Sequence, residues 1–285
     1  MPTRLLHRKI NSCKKDFGHV FVLAGSLRYS GAAVLCAQAA LRSGAGLVTL
    51  GIPNSLNNAV IKIKPKEVIT LPLPQTMQAA LSLTGYKEIK EFIKKADITV
   101  IGPGLGQDKS TFALVRKLVS NTNKPLVIDA DGLNALVGYL ELLRKTKDEG
   151  RETIFTPHPG EMAKLIGCSV KKVQDGRVKC AEYFAKKYKV VLVLKGNNTI
   201  VADYKSNIFI NKTGNPGMAS AGTGDVLTGM IAAFLAQGLD SFNAAKYAVY
   251  LHGFAGDLAA KEKTQISLIA SDIIDKIPEA IKKCS

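Results

Sequence analysis

The most constraining feature of this chain is a regular alternation of short apolar runs with helical patterns. The predicted strands begin the segments 19–25, 47–53, 67–74, 97–106, 125–132, 152–158 and 190–203. Strands that are apolar on both faces and alternate with helices are typical of a parallel sheet with helices on both sides. We therefore expect an α/β fold in which a mainly parallel central sheet lies between two helical layers, with three helices near 224–237, 241–261 and 270–283 closing the chain.

Composition excludes several classes of protein. The sequence contains no linker-like stretch, so we expect one domain over residues 1–285, of which residues 1–16 are a basic lead-in. No apolar stretch has the length of a membrane span, and the lead-in lacks the apolar core of a signal peptide. The five cysteines form no CxxC pair and the four histidines have no metal-ligand spacing, which argues against a zinc site. A cytoplasmic protein without a membrane partner is the expectation.

The net charge of the chain is +16, from 39 Lys and Arg against 23 Asp and Glu. Such a surplus favours anionic partners in general, without choosing among them. The lysines are spread over predicted helix faces and turns, and no RNA-binding aromatic–basic motif is present. We therefore do not expect a nucleic-acid partner.

Six glycine-rich or polar turns follow the predicted strands. In sequence they are AGSLRYSGA, GPGLG, DADGLN, TPHPGE, KGNNT and AGTGD. Ligands of open α/β sheets bind beyond the carboxyl ends of the strands, and all six turns are expected at that edge. The first of them, AGSLRYSGA, is neither a dinucleotide fingerprint nor a P-loop. The arrangement predicts an extended ligand site.

The last turn, AGTGD, places Asp225 where a long apolar helix begins. The backbone N–H groups and dipole of a helix N-terminus favour an anion, and Gly222 and Gly224 allow a close approach of the backbone. An acidic residue that merely favours the helix dipole is the structural alternative. Because the two glycines have no evident capping purpose, we favour a phosphate or developing oxyanion beside a carboxylate base.

The other turns carry weaker signals. Lys195, after a strand, is suited to a nucleotide phosphate or ribose, or is an exposed lysine of a tight hairpin. His158 lies between two prolines, which limit its backbone freedom, so it is either a substrate contact or part of a rigid turn that Glu161 completes. Of Asp129, Asp131 and Asn134, we expect one to cap the following helix and another to face the site.

Taken together and in order, these motifs resemble a known family. AGTGD at a helix start is similar to the anion hole of ribokinase-like kinases, in which the Asp is the catalytic base. With GAGLVTLGIP, GPGLG, DADGLN, TPHPGEMAKL, LKGNNTIVAD and GNPGMASAGTGDVLTGM, the chain from about Phe17 onward resembles the ADP/ATP-dependent NAD(P)H-hydrate dehydratases. The resemblance implies a ribokinase-like three-layer αβα sandwich and the form of the enzyme that has no epimerase domain.

The resemblance also implies roles for individual residues. Substrate contacts, to the hydrated dinucleotides NADHX or NADPHX, are expected from Ala32, Gly106, Asn134, His158 and Asp225. Adenine-nucleotide contacts are expected from Lys195, Gly196, Asn197, Asn198, Thr199 and Gly224. The anion hole would consist of Ala221, Gly222, Thr223 and Gly224, and Mg²⁺ would be bound through water by Glu161.

The implied reaction is repair of a damaged cofactor. Asp225, with an ordinary pKa of about 3.9, would take the proton of the ring hydroxyl while the hydroxyl oxygen attacks the terminal phosphate of ADP or ATP. Loss of phosphate would restore NADH or NADPH, and a homotetramer is expected by analogy. Three other functions stay open: a ribokinase-like kinase of a small hydroxymethyl heterocycle, a nucleotide-binding module without turnover, and a basic RNA-binding protein.

Overall fold

The computed structural model describes residue 5 and residues 8–146 and 151–284; the remaining residues of the predicted lead-in lie outside these ranges. Within the described lead-in, the Arg8 guanidinium donates to the Gly44 carbonyl and lies over the Phe17 ring. This segment therefore packs against the body of the protein. Among the described residues, no helix has both the length and the apolar character that crossing a bilayer requires.

A single nine-stranded sheet forms the centre of the molecule. The strands are β1 His19–Leu23, β2 Leu47–Pro53, β3 Ile69–Leu73, β4 Ile98–Ile101, β5 Leu126–Ile128, β6 Thr153–Phe155, β7 Val191–Leu194, β8 Ile200–Ala202 and β9 Ile208–Ile210. Their order in the sheet is β3-β2-β1-β4-β5-β6-β7-β8-β9. All pairs from β3 to β7 are parallel, and β8 and β9 are added antiparallel. The predicted mainly parallel sheet is confirmed.

Eleven α-helices are present in the described ranges. They are α1 Ser30–Arg42, α2 Asn57–Ile63, α3 Tyr86–Lys95, α4 Lys109–Asn121, α5 Ala130–Ala135, α6 Pro159–Ile166, α7 Val170–Asp175, α8 Arg177–Tyr188, α9 Thr223–Ala236, α10 Ser241–Lys263 and α11 Ala270–Lys283. The three closing helices agree with the prediction within a few residues. The sequence also predicts helices that correspond to α1 and α3–α6, but neither the short helices α2 and α7 nor the lysine-containing helix α8.

The sheet separates two apolar cores, which explains why its strands are apolar throughout. In β1, Val20 and Val22 lie in a core shared with α1, α9, α10 and α11. The alternate residues Phe21 and Leu23 lie in the other core, with α3, α4, α6 and α8. Because successive side chains of a strand point to opposite faces, both faces must be apolar. The three-layer αβα arrangement is confirmed.

The helix that carries Asp225 packs tightly against the helix that follows β1. Gly229 of α9 faces the backbone of α1, so that a Cβ at this position would overlap the Cys36 carbonyl. The buried residues of α1 are mostly small, including Ala33 and Ala37. This close approach brings the N-terminus of α9 to the carboxyl edge of the sheet.

Candidate active site

The first two turns are joined at the point where the strand order reverses. From β1 the chain proceeds to β2 and β3 on one side, and then returns to β4 on the other side of β1. Open α/β sheets bind ligands in the crevice at such a reversal. The Gly25 N–H donates to the Pro103 carbonyl at 2.8 Å, and the Ser26 hydroxyl donates to the Gly104 carbonyl at 2.8 Å. A Cβ on Gly104, whose φ is +61°, would lie 3.1 Å from the Ala32 Cβ. Ala32 therefore lines this crevice.

The GPGLG turn is tied in the same way to the turn after β5. Gly106, with φ +75°, donates its N–H to an Asp131 carboxylate oxygen at 2.9 Å. The other Asp131 oxygen accepts the Asn134 side-chain amide at 3.2 Å. Asp131 and Asn134 thus shape the loop around Gly106. A substrate contact from Gly106 or Asn134 stays a prediction.

A buried ion pair connects the turns after β5 and β7. The Lys195 Nζ lies 2.8 Å from Asp129 Oδ1 and 3.9 Å from Glu161 Oε2. The side chain of Asp129 is 1% exposed and that of Lys195 is 18% exposed. The alternative of an exposed hairpin lysine is therefore wrong, because the β7 turn directs Lys195 inward to two carboxylates. Burial lowers the pKa of Lys195, but these carboxylates outweigh it and raise the pKa above its usual value.

The sequence left open which of Asp129, Asp131 and Asn134 faces the site, and the structure places Asp129 in the ion pair with Lys195. Asp129 occupies the position before α5, yet its side chain makes no capping hydrogen bond. Its Oδ2 accepts instead from the Thr228 hydroxyl at 2.7 Å, one turn after Asp225 in α9. The expectation that one polar residue of DADGLN caps α5 through its side chain is thus wrong for Asp129. The signal available was an acidic residue at the carboxyl end of a buried strand.

The N-terminus of α9 is formed by Gly222 in the left-handed region, at φ +89°. Gly222 is the N-cap residue, so the expectation that the glycines have no capping purpose is wrong for Gly222. The Thr223 hydroxyl donates back to the carbonyls of Met218 and Ser220 at 3.0 Å each, which fixes the turn. The first four N–H groups of a helix have no acceptor within the helix, and in α9 these are the N–H groups of residues 222–225.

Asp225 lies in the first turn of α9, and its environment disfavours the charged form. Burial, with a contribution from Asp129, raises the pKa of Asp225 to about 7, against the opposing effect of Lys195. The expectation of an ordinary pKa is therefore wrong. The Lys195 ammonium is close by, since a Cβ at Gly224 would lie 3.3 Å from its Nζ. A carboxylate of this kind is suited to accept a proton near neutral pH.

His158 and Glu161 form the N-terminal capping box of α6. The His158 Nδ1 accepts the N–H groups of Gly160 at 3.0 Å and Glu161 at 3.3 Å, while Glu161 Oε2 accepts the His158 N–H at 2.8 Å. Burial and the nearby Lys195 lower the pKa of His158. The predicted rigid turn is present, and because the His158 side chain is 56% exposed, its free edge remains open to a ligand.

The KGNNT turn is held by a residue outside every motif. Arg177 of α8 donates to the carbonyls of Asn197 at 2.7 Å, Leu194 at 3.1 Å and Lys195 at 3.2 Å. The Thr199 hydroxyl closes the turn on the Gly196 carbonyl at 2.9 Å. These bonds leave the turn preformed. Nothing in the sequence marks Arg177, which precedes the turn by about 20 residues in a helix that was not predicted.

The side chains of the site fit a Mg²⁺ ion that they contact through water. The described residues include no group of three acidic, histidine or cysteine side chains placed to hold a metal ion. Glu161 Oε1 lies 3.4 Å from the His158 Nε2, and a carboxylate oxygen can accept a second hydrogen bond, for example from a metal-bound water. This agrees with a magnesium ion that is bound chiefly by substrate phosphates.

The arrangement as a whole joins all six turns at one edge of the sheet. The Lys195 N–H also bonds the Pro157 carbonyl at 2.9 Å, which links the β6 and β7 turns. A crevice lined by glycine backbone therefore meets a helix N-terminus, a lysine and a carboxylate of raised pKa. Such a combination is suited to the transfer of a phosphoryl group to a hydroxyl.

Comparison with known proteins agrees with this interpretation. A family profile described as NAD(P)H-hydrate dehydratase matches residues 20–279. The bifunctional NAD(P)H-hydrate repair enzyme of Moorella thermoacetica is 41% identical over 98% of this chain. The chain spans about half the length of the bifunctional relatives that it matches, 52% in this case.

A shorter relative and a solved structure match over nearly their full lengths. The ADP-dependent (S)-NAD(P)H-hydrate dehydratase of Xanthomonas campestris pv. campestris is 33% identical over 93% of this chain and 88% of its own. The ADP/ATP-dependent NAD(P)H-hydrate dehydratase of Bacillus subtilis, co-crystallised with ATP and Mg²⁺, is 31% identical, with a TM-score of 0.81 over 98% of this chain and 94% of its own. The ribokinase-like fold is confirmed.

Proposed function

The chain belongs to the NAD(P)H-hydrate dehydratase family, and on that premise we propose that it converts the S-epimers of NADHX and NADPHX back to NADH and NADPH at the expense of an adenine nucleotide. The observation that carries the proposal is the position of Asp225. A carboxylate of raised pKa lies in the first turn of α9, next to Gly224, and the Lys195 ammonium approaches the same turn.

Asp225 acts as the base in the first step. Its carboxylate takes the proton of the ring hydroxyl while the hydroxyl oxygen attacks the terminal phosphorus of ADP or ATP. The bond from that phosphorus to the leaving nucleotide oxygen breaks, and AMP or ADP departs. The lone pair of the ring nitrogen then breaks the ring C–O bond of the new phosphate ester, and inorganic phosphate departs. Loss of a proton from the adjacent ring carbon restores the dihydronicotinamide.

The N-terminus of α9 stabilises the transferring phosphoryl group. We assign the anion hole to the N–H groups of Ala221, Gly222, Thr223 and Gly224. One such preorganised donor is typically worth about 3 kcal/mol of barrier lowering. Lys195, held beside Gly224, adds a cation on the same side of the group.

The two substrates would occupy opposite ends of the site. We place the hydrated dinucleotide against Ala32, Gly106, Asn134 and His158, in the crevice at the reversal of strand order. The adenine nucleotide would lie along the turn from Lys195 to Thr199, which Arg177 keeps in shape. Mg²⁺ would bind the nucleotide phosphates, with Glu161 contacting it through water, and would neutralise phosphate charge.

The remaining parts of the proposal concern the whole protein. We propose that residues 1–285 work as one domain, in the cytoplasm, where reduced nicotinamide cofactors and adenine nucleotides are used. Family analogy supports a homotetramer. The ADP-dependent relative from Xanthomonas campestris supports ADP as the donor, and the ADP/ATP-dependent enzyme of Bacillus subtilis supports ADP or ATP.

The test is direct. The purified protein is incubated with NADHX, Mg²⁺ and either ADP or ATP, and the near-ultraviolet absorbance of the dihydronicotinamide is followed. We expect the absorbance to return with at least one nucleotide, and AMP or ADP to appear in the same amount. Nucleotide binding by thermal shift without recovery of absorbance would instead favour a small-heterocycle kinase or a binding module without turnover.

A further inference from the structure

The turn after β5 contains a carboxylate that no part of the reaction above uses. Asp129 is 1% exposed, and both of its oxygens have a partner from a distant part of the chain. Oδ1 accepts from the Lys195 Nζ at 2.8 Å, and Oδ2 accepts from the Thr228 hydroxyl at 2.7 Å. Lys195 belongs to the nucleotide turn, whereas Thr228 belongs to the helix of the base. Asp129 therefore bridges the two halves of the site.

We propose that Asp129 is a positioning residue for phosphoryl transfer, which holds the Lys195 ammonium and the first turn of α9 at a fixed distance, so that the cation and Asp225 meet the same phosphoryl group. The inference rests on the proposed function. It assigns no contact between Asp129 and substrate.

The helical geometry supports this assignment. Asp225 and Thr228 are three residues apart in α9 and so lie on the same face of the helix. The hydrogen bond between Asp129 and Thr228 consequently fixes the rotation of α9 about its axis, and with it the direction of the Asp225 side chain. Thr228 is fully buried, so its hydroxyl cannot exchange this partner for water.

The backbone around Asp129 is also restrained. The Asp129 N–H donates to the Ile101 carbonyl, and Ala130 adopts a positive φ of +47°. Gly102 has no room for a side chain, since a Cβ there would overlap the Asp129 carbonyl. This crowding fixes the position of the Asp129 backbone, from which the carboxylate extends. A residue that positions others must itself be fixed in this way.

The charge of Asp129 has a second consequence for Asp225. The charged groups that act on Asp225 are Asp129 and Asp131 of the β5 turn, Glu161 of α6 and Lys195 after β7. In turn, Asp225 raises the pKa of the Cys36 thiol of α1, and Lys195 lowers the pKa of His252 of α10. Among these charges, Asp129 contributes most to the raised pKa of Asp225 after burial itself. Removing its charge should therefore shift the ionisation of Asp225 to lower pH.

The test compares Asp129→Asn with Asp203→Asn. Asp203 is a similarly buried carboxylate, but its partners are the N–H groups of Lys205 and Asn207 in the β8–β9 turn. We expect D129N to lower kcat by about 10²-fold, as a displacement of about 1 Å would. We also expect the acid limb of its kcat–pH profile to move to lower pH. D203N should change melting temperature without moving that limb.

A readout independent of turnover separates this inference from the proposed function. Carboxyl ¹³C chemical shifts of Asp225 are titrated in wild type, D129N and D203N. A folded D129N protein with the wild-type titration of Asp225 and the wild-type kcat would overturn the positioning role. Absence of turnover in the wild type would refute the proposed function, and the titration would still decide whether Asp129 acts on Asp225.

A second variant covers the case in which D129N does not fold. Thr228→Val removes one of the two bonds of Asp129 and keeps its charge. We expect kcat to fall, by less than in D129N, with the acid limb unmoved. A wild-type kcat in T228V would contradict the claim that Asp129 aims α9.

Discussion

In the role of base that we propose for it, Asp225 combines a catalytic requirement with a cost in stability. A base must be ionised at the working pH, yet burial and the nearby Asp129 disfavour its charge. We expect Asp225→Asn to lower turnover by about 10³-fold or more and to leave nucleotide binding intact, because the amide cannot take the hydroxyl proton. Single-turnover kinetics and calorimetric titration with ADP measure the two effects, and retained turnover would refute the assignment of the base.

The raised pKa of Asp225 predicts a specific dependence of stability on pH. The unfolded chain ionises Asp225 near its ordinary pKa of 3.8 and the folded protein only near 7, so the folded state holds more protons between these values. The free energy of unfolding of the wild type should therefore fall relative to that of D225N as the pH rises through this window. Above the window, the difference between the two proteins should be constant. Paired thermal melts across the window test this, and a difference that does not change with pH would contradict it.

At the scale of an element, Arg177 of α8 holds the shape of the KGNNT turn, where we propose that the nucleotide binds. It donates to three backbone carbonyls from Leu194 to Asn197. We expect Arg177→Ala to raise KM for the nucleotide by about tenfold, because hydrogen bonds of a charged donor contribute about 1.5–3 kcal/mol each and the turn would lose its order.

A matched control for Arg177 lies at the amino ends of the strands, opposite the edge that carries the site. Arg151 also donates to backbone carbonyls, those of Val119 and Thr122, before β6 begins. Arg151→Ala should lower the melting temperature without changing KM for the nucleotide. An equal rise in KM in both variants would show that the effect of R177A is general destabilisation.

The close packing of α1 against α9 depends on Gly229. A side chain there would overlap the backbone of α1 at Cys36 and contact Ala39. We expect Gly229→Ala to destabilise the protein by about 1–3 kcal/mol, the usual range for overpacking a core. Denaturant unfolding measures it. Gly31→Ala is the control, since Gly31 lies in α1 with no atom near its missing Cβ, and it should be neutral or stabilising.

At the scale of the whole molecule, the net charge of +16 should act on the encounter with substrates. Both proposed substrates are polyanions, which a positive field attracts from a distance that salt screens. We expect kcat/KM to fall as ionic strength rises towards the physiological value, while kcat at saturation stays constant. Steady-state kinetics in a salt series measures this, and an unchanged kcat/KM would show that the charge serves solubility alone.

The sequence by itself determined the strands, the glycine turns and the fold class of the protein. Period and composition specify strands such as 19–23 and 47–53, because the faces that they bury must be apolar whatever their neighbours are. Glycine turns such as GPGLG and AGTGD are equally local, since positive φ angles at Gly104 and Gly222 favour glycine. Fold class, the edge that carries the site and the family resemblance follow from features of this kind.

Only the tertiary structure decided the electrostatics of the site. Asp129 is 66 residues from Lys195 and 99 from Thr228, and the sheet brings the three together. The buried state of Lys195, the pKa of Asp225 near 7 and the support from Arg177 depend on such distant pairs. Burial and Coulomb interactions depend on position in space, so no local pattern in the chain specifies them.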